Sequence, residues 1–354
     1  MASKLPQITI VGAGLSGLTL GLSLRSKGIA AVLYDRAAPS PRYNYGITLY
    51  ASTYRPFLSL LDMDESSFRE SVAVNAQQGG TGSWPGSDTF RCHRGRLEAL
   101  LSRYLSINWD KRLKEINMSP GSRGVTAVFE DGYQHKTTCL IGCDGPHSMT
   151  RQSRAPSMKL EVLPYVVFNG KRRMSTEEYM GTIHEHMRDH VQKQTRVGNV
   201  LLEISVTDIA GSKVELSYIY SRATDIPDEF YEELRSLKGL EMPFREIFDA
   251  DKVEDDRTLH WLMRCLAPEP KEAQHLSEHG VLLIGDAVHA TPILGGEGAQ
   301  IAIQDGLDLA EYISTNGVDD LWHFAQSKYN TWKKSVDNSK EKINDLHVLK
   351  PFHL

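Results

Sequence analysis

Cysteine and long apolar runs are both scarce in this sequence, and their scarcity excludes several classes of protein. The 354 residues include four cysteines, which are Cys92, Cys139, Cys143 and Cys265. They form no CxxC pair and are too few for a disulfide scaffold, so a reducing intracellular compartment fits best. No stretch of about 18 uncharged apolar residues occurs, and we therefore expect no transmembrane span.

A strong charge of either sign is also missing. The net charge of −5 at pH 7 offers no basic surface for nucleic acid. The N-terminal letters MASKLPQITIVGAGLSG contain no basic segment and no cleavage pattern, which indicates a first strand and not a signal peptide. We expect a cytoplasmic protein that binds no nucleic acid, and the sequence leaves its oligomeric state open.

What the sequence does contain, at its start, is a strand, a helix and a second strand. Residues 7–11 are a short apolar run, and Leu15, Leu18 and Leu22 then recur at helical spacing. Residues 30–35 form the next apolar run. A strand–helix–strand unit of this kind predicts a parallel sheet.

The rest of the chain changes pattern twice. Residues 94–107 have the pattern of an amphipathic helix, and 125–130 with 133–141 predict a hairpin through an Asp-Gly turn. Three runs rich in Val, Ile, Leu and Tyr predict an antiparallel sheet, at 160–170, 199–207 and 213–221. The chain then returns to a strand, a glycine loop and a helix over 280–312, and a helical pattern follows over 320–348.

The first chemical motif is Gly12-Ala13-Gly14-Leu15-Ser16-Gly17, between the first strand and the first helix. In such a loop the first glycine allows the tight turn, the second lets backbone N–H groups approach a pyrophosphate, and the third lets helix and strand pack closely. Asp35 ends the second strand, where a carboxylate can accept hydrogen bonds from ribose hydroxyls. This combination predicts a dinucleotide site.

Two further motifs are weak when taken singly. Gly142-Cys143-Asp144-Gly145 precedes Ser148 and Arg151, and an Asp-Gly pair alone is an ordinary turn. Asp286 ends a predicted strand, and the glycine loop 295–299 then opens a helix whose N–H groups can stabilise negative charge. A capping role for Asp286 and a ligand role are equally compatible with the sequence.

Taken together and in order, these motifs and the "CHRGRLEALL" helix resemble the class A (single-component) FAD-dependent monooxygenases. The segment "GDAVHATPILGGEGAQIAIQDGLDLA" is most similar to the salicylate-hydroxylase and tetracycline-inactivating branches. The resemblance implies an α/β fold like that of p-hydroxybenzoate hydroxylase, with an antiparallel β-sheet substrate domain inserted into a Rossmann-type FAD-binding domain. We place the FAD-binding domain at 1–155 and 270–320, the substrate domain at 156–269 and a C-terminal helix at 321–354.

The resemblance also implies which residues contact non-covalently bound FAD. Asp35 would bind the adenosine ribose, and Asp286 would bind the ribitol chain. Asp144 would support the pyrophosphate region and the docking of the nicotinamide cofactor. Gly46 and Arg94 would lie beside the flavin. Gly298 and Ala299 would place their amides near the pyrimidine end of the ring. The complete predicted set is Gly12, Gly14, Leu15, Ser16, Gly17, Asp35, Arg36, Gly46, Arg94, Asp144, Asp286, Gly298 and Ala299.

In enzymes of this family NADPH or NADH reduces the flavin, O2 adds to form a C4a-hydroperoxide, and the substrate receives one oxygen atom. The resemblance thus implies hydroxylation or epoxidation of an electron-rich small molecule, such as a phenol, indole, enol or polyketide. A flavin-fold cyclase or isomerase that acts on a secondary metabolite without net oxidation is the alternative. A non-enzymatic FAD-binding regulator is the third reading.

The catalytic residues are less readable than the cofactor site. A general base that ionises a phenol would assist the reaction, and the candidates are Tyr165, Arg172, Tyr218 and Tyr220, each of which also fits plain sheet packing. His184 and His186 lie in "IHEHMRDH", a spacing more typical of a solvated face than of a metal site. We predict no metal, and we expect His289 to be a structural or flavin-side residue.

Overall fold

The structure is a computed structural model that describes residues 8–39, 45–76, 88–118, 123–187, 190–223 and 230–347. The chain divides into two compact units. The first comprises Met1–Pro41, Glu98–Glu161 and Arg264–Lys340. The second comprises Arg42–Leu97, Val162–Met263 and Glu341–Leu354.

The described residues form strands and α-helices in the following order along the chain. The strands are β1 (Ile8–Val11), β2 (Ala31–Tyr34), β3 (Gly46–Tyr50), β4 (Thr89–His93), β5 (Ile107–Asn108), β6 (Leu113–Met118), β7 (Val125–Phe129), β8 (Gln134–Thr137), β9 (Cys139–Gly142), β10 (Glu161–Ser175), β11 (Gln192–Val197), β12 (Val200–Ala210), β13 (Lys213–Ala223), β14 (Arg257–Cys265) and β15 (Val281–Leu283). The helices are α1 (Leu15–Ser26), α2 (Ala51–Leu61), α3 (Glu65–Val72), α4 (Arg94–Ser102), α5 (Met149–Arg154), α6 (Thr176–Tyr179), α7 (Glu185–Met187), α8 (Phe230–Ser236), α9 (Phe244–Ile247), α10 (Ala250–Asp255), α11 (Pro270–Glu278), α12 (Gly298–Asn316) and α13 (Leu321–His347).

A five-stranded parallel sheet organises the first unit. Its strand order is β15-β9-β1-β2-β5, and a three-stranded antiparallel sheet, β6-β7-β8, belongs to the same unit. The residues of β1 and β9 are all buried, as expected for parallel strands covered on both faces. Because the strands run in one direction, the loops that follow β1, β2, β9 and β15 meet at one sheet edge, where open α/β sheets bind ligands.

Helices α1 and α12 pack closely in the first unit because glycine removes side-chain bulk between them. A Cβ atom on Gly306 would lie 2.8 Å from the carbonyl oxygen of Ser16 and 2.9 Å from the backbone nitrogen of Leu20. Side chains at this contact would push the helices apart. The glycine therefore brings the start of α1 close to α12.

The second unit is built on an antiparallel sheet with the order β11-β12-β13-β10-β14. Successive side chains alternate between its faces. One face is apolar and packs under α8, α9 and α10; its members include Leu202, Ile204, Leu216 and Tyr218. The opposite face carries buried polar side chains, which include Asn169, Glu203, Ser205 and Ser217.

The predicted α/β fold class, with a parallel sheet and an antiparallel sheet, is confirmed. The 133–141 segment differs from prediction, because it divides into β8, which pairs with β7, and β9, which joins the parallel sheet. Thr137 Oγ1 accepts the Cys139 N–H at 3.2 Å, which replaces a ladder hydrogen bond where the chain changes sheets. The predicted helix over 94–107 ends at Ser102.

The sheet of the second unit is larger than predicted, since β11 and β14 flank the three expected strands. The proposed domain boundaries stay a prediction. None of the helices in the described ranges is both long and apolar enough to cross a membrane. The four cysteines are all free and buried.

Candidate active site

The glycine loop after β1 contains two glycines that are packed tightly and one that is open. A Cβ atom on Gly12 would lie 2.3 Å from the carbonyl oxygen of Cys143, and one on Gly17 would lie 1.9 Å from the carbonyl oxygen of Gly12. A Cβ atom on Gly14 would meet nothing within 4 Å. Packing thus requires Gly12 and Gly17, whereas Gly14 leaves open space at the start of α1.

Helix α1 begins at this open space without a side-chain cap. Gly14 is its N-cap residue, and the first turn contains no acidic side chain. Leu15, Ser16 and Gly17 are buried in the first turn. The N–H groups at a helix start carry partial positive charge and bind anions, so this end of α1 is suited to a phosphate.

Asp35 braces the same loop from the end of β2. Its Oδ2 accepts the N–H of Ala13 at 2.6 Å, and its Oδ1 accepts the N–H of Ala37 at 2.8 Å. Asp35 therefore lies beside the glycine loop at a strand end, where a carboxylate in a dinucleotide site meets a ribose. Arg36, the next residue, is exposed.

Asp144 organises the loop after β9. Its carboxylate accepts hydrogen bonds from Ser148 Oγ at 2.5 Å and from the Thr150 N–H at 3.0 Å. Burial raises the pKa of Asp144, and the hydrogen bond from Ser148 opposes that rise. Arg151 then donates to the carbonyl oxygens of Ala287 at 2.9 Å and of Pro146 at 2.6 Å. Arg151 therefore ties this loop to the turn after β15.

Asp286 lies in that turn, directly beside the start of α12. Gly285 has a φ of 60°, and a Cβ atom there would lie 2.9 Å from Ser16 Oγ. A Cβ atom on Gly298 would lie 3.8 Å from Asp286 Oδ1 and 2.8 Å from Thr291 Oγ1. Glycine at both positions lets the turn approach α1 on one side and α12 on the other.

Helix α12 begins with Gly298 and Ala299, which are half-buried. Its N-cap residue, Glu297, makes no side-chain cap, and no acidic residue lies in its first turn. Like α1, the helix leaves the positive end of its dipole available. The structure thus brings two uncapped helix starts and the carboxylates Asp35 and Asp286 into the first unit.

The remaining predicted flavin contacts, Gly46 and Arg94, lie in the second unit, where Gly46 begins β3 and Arg94 begins α4. A Cβ atom on Gly46 would lie 2.5 Å from Nε of Arg91. The Arg94 guanidinium donates to the Tyr45 hydroxyl and lies 5.5 Å from the centre of that ring. Their roles beside the flavin stay predictions.

Three of the four general-base candidates lie on the face of the sheet that α8, α9 and α10 cover. Tyr218 donates to Asp256 Oδ2 at 2.8 Å, and Arg172 Nη2 contacts the same oxygen at 2.6 Å. Tyr220 is fully buried in the same apolar cluster, where burial raises its pKa and Glu233 raises it further. The structure gives these three side chains packing partners, and their catalytic role stays a prediction.

The fourth general-base candidate, Tyr165, and the histidine His184 lie apart from these three residues. Tyr165 packs against the ring of His347 with centroids 4.8 Å apart, and burial raises its pKa. His184 contacts the Tyr179 ring edge at 5.7 Å between centroids. In the part of the chain that the structure describes, no group of three or more His, Cys, Asp or Glu side chains is placed to hold a metal ion.

The polar face of the second unit's sheet was not predicted. Glu203 accepts hydrogen bonds from Gln192 Nε2 at 2.8 Å and from Gln194 Nε2 at 2.5 Å. Asn169 donates to Ser217 Oγ at 2.8 Å on the neighbouring strands. The signal was present as period-two alternation: Leu202, Ile204 and Val206 alternate with Glu203, Ser205 and Thr207.

A cluster of two arginines and a histidine in the first unit was also not predicted, apart from Arg36. Arg264 Nη1 lies 3.3 Å from His147 Nε2, just after the Asp144 motif. The pKa of His147 is lowered by burial and then by the charges of Arg264, Arg36 and Arg151. Within the described ranges, neither Arg36 nor Arg264 forms an ion pair with a carboxylate. Arg36 and Arg264 are therefore positive charges with no direct carboxylate partner among the described residues.

The parallel sheet, the open Gly14 and the two uncapped helix starts define a dinucleotide-binding protein. The strand-end carboxylates fit the hydroxyl groups of a ribose and a ribitol, so the residues present fit FAD. The chain belongs to the FAD binding domain family, whose sequence profile matches residues 97–316. The curated relatives that it matches are named FAD-dependent monooxygenases.

Two of these relatives come from fungi. The chain is 29% identical over 401 residues to "FAD-dependent monooxygenase nscC" of Arthroderma benhamiae, and the match covers 99% of this chain and 96% of that protein. It is 29% identical over 354 residues to "FAD-dependent monooxygenase vrtH" of Penicillium aethiopicum, with 86% and 83% covered.

Solved structures share the fold. Klebsiella pneumoniae HpxO, solved with FAD and uric acid, superposes with a TM-score of 0.74 at 16% identity, over 97% of this chain and 90% of that one. The 2,6-dihydroxypyridine-3-hydroxylase of Arthrobacter nicotinovorans superposes with a TM-score of 0.73 at 18% identity, over 99% and 95%. At this identity the likeness establishes the architecture alone.

Proposed function

We propose that this monooxygenase uses NAD(P)H and O2 to hydroxylate or epoxidise an electron-rich small molecule. The observation that carries the proposal is the convergence of three motifs at one edge of the parallel sheet. Gly14, Asp144 and Asp286 follow β1, β9 and β15, which are adjacent strands. Such an edge supports a large anionic cofactor, and the family match supports FAD.

Each part of this edge has a distinct task in the proposal. The start of α1 holds the pyrophosphate, Asp35 the adenosine ribose, and Asp286 the ribitol chain. The N–H groups of Gly298 and Ala299 stabilise negative charge at the pyrimidine end of the ring. When bound, FAD supplies the electron transfer and the oxygen chemistry, and the protein supplies orientation and exclusion of water. The oxygen-transferring species stays a prediction.

The two arginines near His147 support a phosphate-bearing reductant. Arg264 contacts His147 of the Asp144 loop, and both Arg264 and Arg36 lower the pKa of His147. Within the described residues neither arginine forms an ion pair with a carboxylate. Like charges held together are stabilised when an anion binds. We assign this cluster to the phosphates of NADPH or NADH.

The second unit supports the substrate class. The polar face of its sheet offers donors and acceptors from Asn169, Gln192 and Ser217, which suit a ring compound with hydroxyl or carbonyl groups. HpxO was solved with uric acid, and another protein of this fold is named for dihydroxypyridine. An electron-rich phenol, enol or polyketide has the same kind of polar edge and suits electrophilic oxygen transfer.

The test is a panel of phenols, indoles and polyketides incubated with the FAD-loaded protein, NADPH and 18O2. The proposal expects one 18O atom in the product and consumption of NADPH that rises when substrate is present. Turnover of a panel member without NADPH or O2, and without 18O incorporation, would instead establish a cyclase or isomerase. Flavin reduction that no panel compound stimulates would contradict the proposed substrate class.

A further inference from the structure

Asp305 bridges the two ends of the turn that carries Asp286. Its side chain lies on α12 and is only 2% exposed. Its Oδ2 accepts the backbone N–H of Gly285 at 2.8 Å and lies 2.7 Å from Nε2 of His289. Gly285 and His289 are the first and last residues of the turn, and Asp286 is the second. A single carboxylate oxygen thus holds both ends of this segment, in addition to the backbone hydrogen bond that the His289 N–H donates to the Gly285 carbonyl at 3.0 Å.

The same carboxylate reaches the C-terminal helix. Its Oδ1 accepts the indole N–H of Trp332 at 2.8 Å. The Trp332 ring stacks on the His289 ring, with centroids 5.4 Å apart and planes inclined by 22°. Trp332 lies on α13, beyond residue 316, where the family match ends. A residue outside the matched domain therefore contributes to the geometry of the turn.

The buried cluster depends on each of its members. Two N–H donors and the His289 imidazole surround the carboxylate, and such donors make a buried charge tolerable. With Nε2 of His289 as the donor to Asp305, the other ring nitrogen, Nδ1, is buried and has no hydrogen-bond partner among the described residues. The imidazole is therefore held by Asp305 and Trp332. Loss of either contact leaves the end of the turn held by fewer interactions, among them the backbone hydrogen bond between His289 and Gly285.

Helix α12 links Asp305 to the proposed cofactor site. Asp305 lies two helical turns after Gly298 on the same helix. It therefore sets the position of Asp286 relative to the helix start that faces it, where Gly298 would place a Cβ atom 3.8 Å from Asp286 Oδ1. In the proposed function, Asp286 binds the ribitol, and the start of α12 stabilises negative charge on the flavin ring.

We propose that Asp305 is a positioning residue for FAD, and that Trp332 makes the C-terminal helix part of the flavin site. The inference rests on the proposed function, because it takes Asp286 and the start of α12 as flavin contacts. Displacing the turn by a fraction of an ångström weakens both interactions at once. Two properties should therefore change together: the affinity for FAD and the reduction potential of the bound flavin.

The experiment compares two variants with two matched controls. Asp305→Asn removes the charge, and Trp332→Phe removes one N–H while it keeps an aromatic ring. Asp308→Asn breaks the ion pair between α12 and Lys328 of α13 without touching the turn. Trp322→Phe changes a tryptophan of the same helix outside the cluster. Apoprotein of each variant is titrated with FAD, and the potential of the reloaded protein is measured.

The expected result is an FAD dissociation constant about tenfold higher for Asp305→Asn and severalfold higher for Trp332→Phe. Both potentials should shift to more negative values, since the anionic reduced ring is stabilised less. The two controls should stay within about twofold of wild type. If Asp305→Asn does not fold, Trp332→Phe carries the test alone.

Two results would overturn the inference while leaving the proposed function intact. One is wild-type affinity and potential in Asp305→Asn and Trp332→Phe. The other is an equal loss in Asp308→Asn, which would show that general packing of α13 is responsible. A wild-type protein that binds no FAD at all would overturn the inference and the proposed function together.

Discussion

In the glycine loop, two glycine-to-alanine substitutions should have different effects. Gly14→Ala should weaken FAD binding, and Gly17→Ala should lower the stability of the fold. Gly14→Ala places a Cβ atom where no atom lies within 4 Å, at backbone angles (φ −85°, ψ −171°) that any residue adopts. Replacing glycine at such a position stabilises a protein by about 0.4–1 kcal/mol through the unfolded chain. Alanine is a poorer N-cap by a similar amount. The free energy of unfolding should therefore change by less than about 1 kcal/mol.

Gly17→Ala should have the opposite effect. Its Cβ atom would lie 1.9 Å from the carbonyl oxygen of Gly12, so the backbone must move. We expect a loss of about 2–3 kcal/mol in the free energy of unfolding of the apoprotein. The same clash appears at Gly12, where φ is 106° and Cys143 O lies 2.3 Å from the added atom.

The affinity for FAD should fall mainly when Gly14, the glycine beside open space, is replaced. In Gly14→Ala the added methyl group occupies the space through which the pyrophosphate approaches the backbone, and hydrogen bonds to a charged group are lost. Such bonds are each worth about 1.5–3 kcal/mol, so the FAD dissociation constant should rise on the order of 10–100-fold. Denaturant unfolding of the apoprotein, followed by circular dichroism, and fluorescence titration with FAD measure the two quantities.

Two outcomes would refute this reasoning. If Gly14→Ala binds FAD as tightly as wild type, the pyrophosphate does not approach this glycine. If Gly14→Ala is destabilised as much as Gly17→Ala, the space beside Gly14 is filled in the folded protein. The serine variant Gly14→Ser, which adds one hydroxyl to the same methyl group, should reproduce the loss of affinity without a loss of stability.

Three further results are expected. Asp286→Ala should purify nearly colourless, because the ribitol loses a hydrogen bond to a charged group worth about 1.5–3 kcal/mol; a yellow variant with the wild-type absorbance ratio would contradict this. Arg264→Gln should raise the KM for NADPH about tenfold with kcat little changed, and Arg264→Lys should recover part of the loss; an unchanged KM would remove the cluster from reductant binding. The four buried thiols should not react with a thiol reagent at pH 8 in native protein, because burial raises the pKa of each, to about 12 for Cys139 and about 11 for Cys265; rapid modification of any of them would show that its burial is wrong.

The fold was readable from the sequence wherever local pattern and tertiary packing agree. The glycine loop after β1 is an example, since its three glycines have the spacing that a strand–helix turn requires. The hairpin over β7 and β8 was also readable. What the sequence did not indicate was the change of sheet between Thr137 and Cys139, because a single side-chain hydrogen bond interrupts an otherwise uniform strand pattern.

Site residues that act through distant partners were harder to find. Asp305 and Asp308 both lie in "QDGLDLA", and the sequence does not show which of them points into the protein. Asp305 is buried because it forms hydrogen bonds with His289 and Trp332. These partners lie 16 and 27 residues away in the chain. Long-range partners of this kind are set by tertiary packing, which local periodicity does not contain. The polar face of β12, in contrast, is visible in the sequence, because apolar and polar residues alternate along this strand.

The central claim is that the first unit holds one FAD through the edge formed by β1, β9 and β15. The most direct measurement is denaturation of freshly purified protein, followed by quantification of the released flavin and titration of the refolded apoprotein with FAD. We predict release of FAD close to one per chain and saturable rebinding by the apoprotein. Release of no flavin, together with no binding of added FAD by the refolded chain, would contradict it.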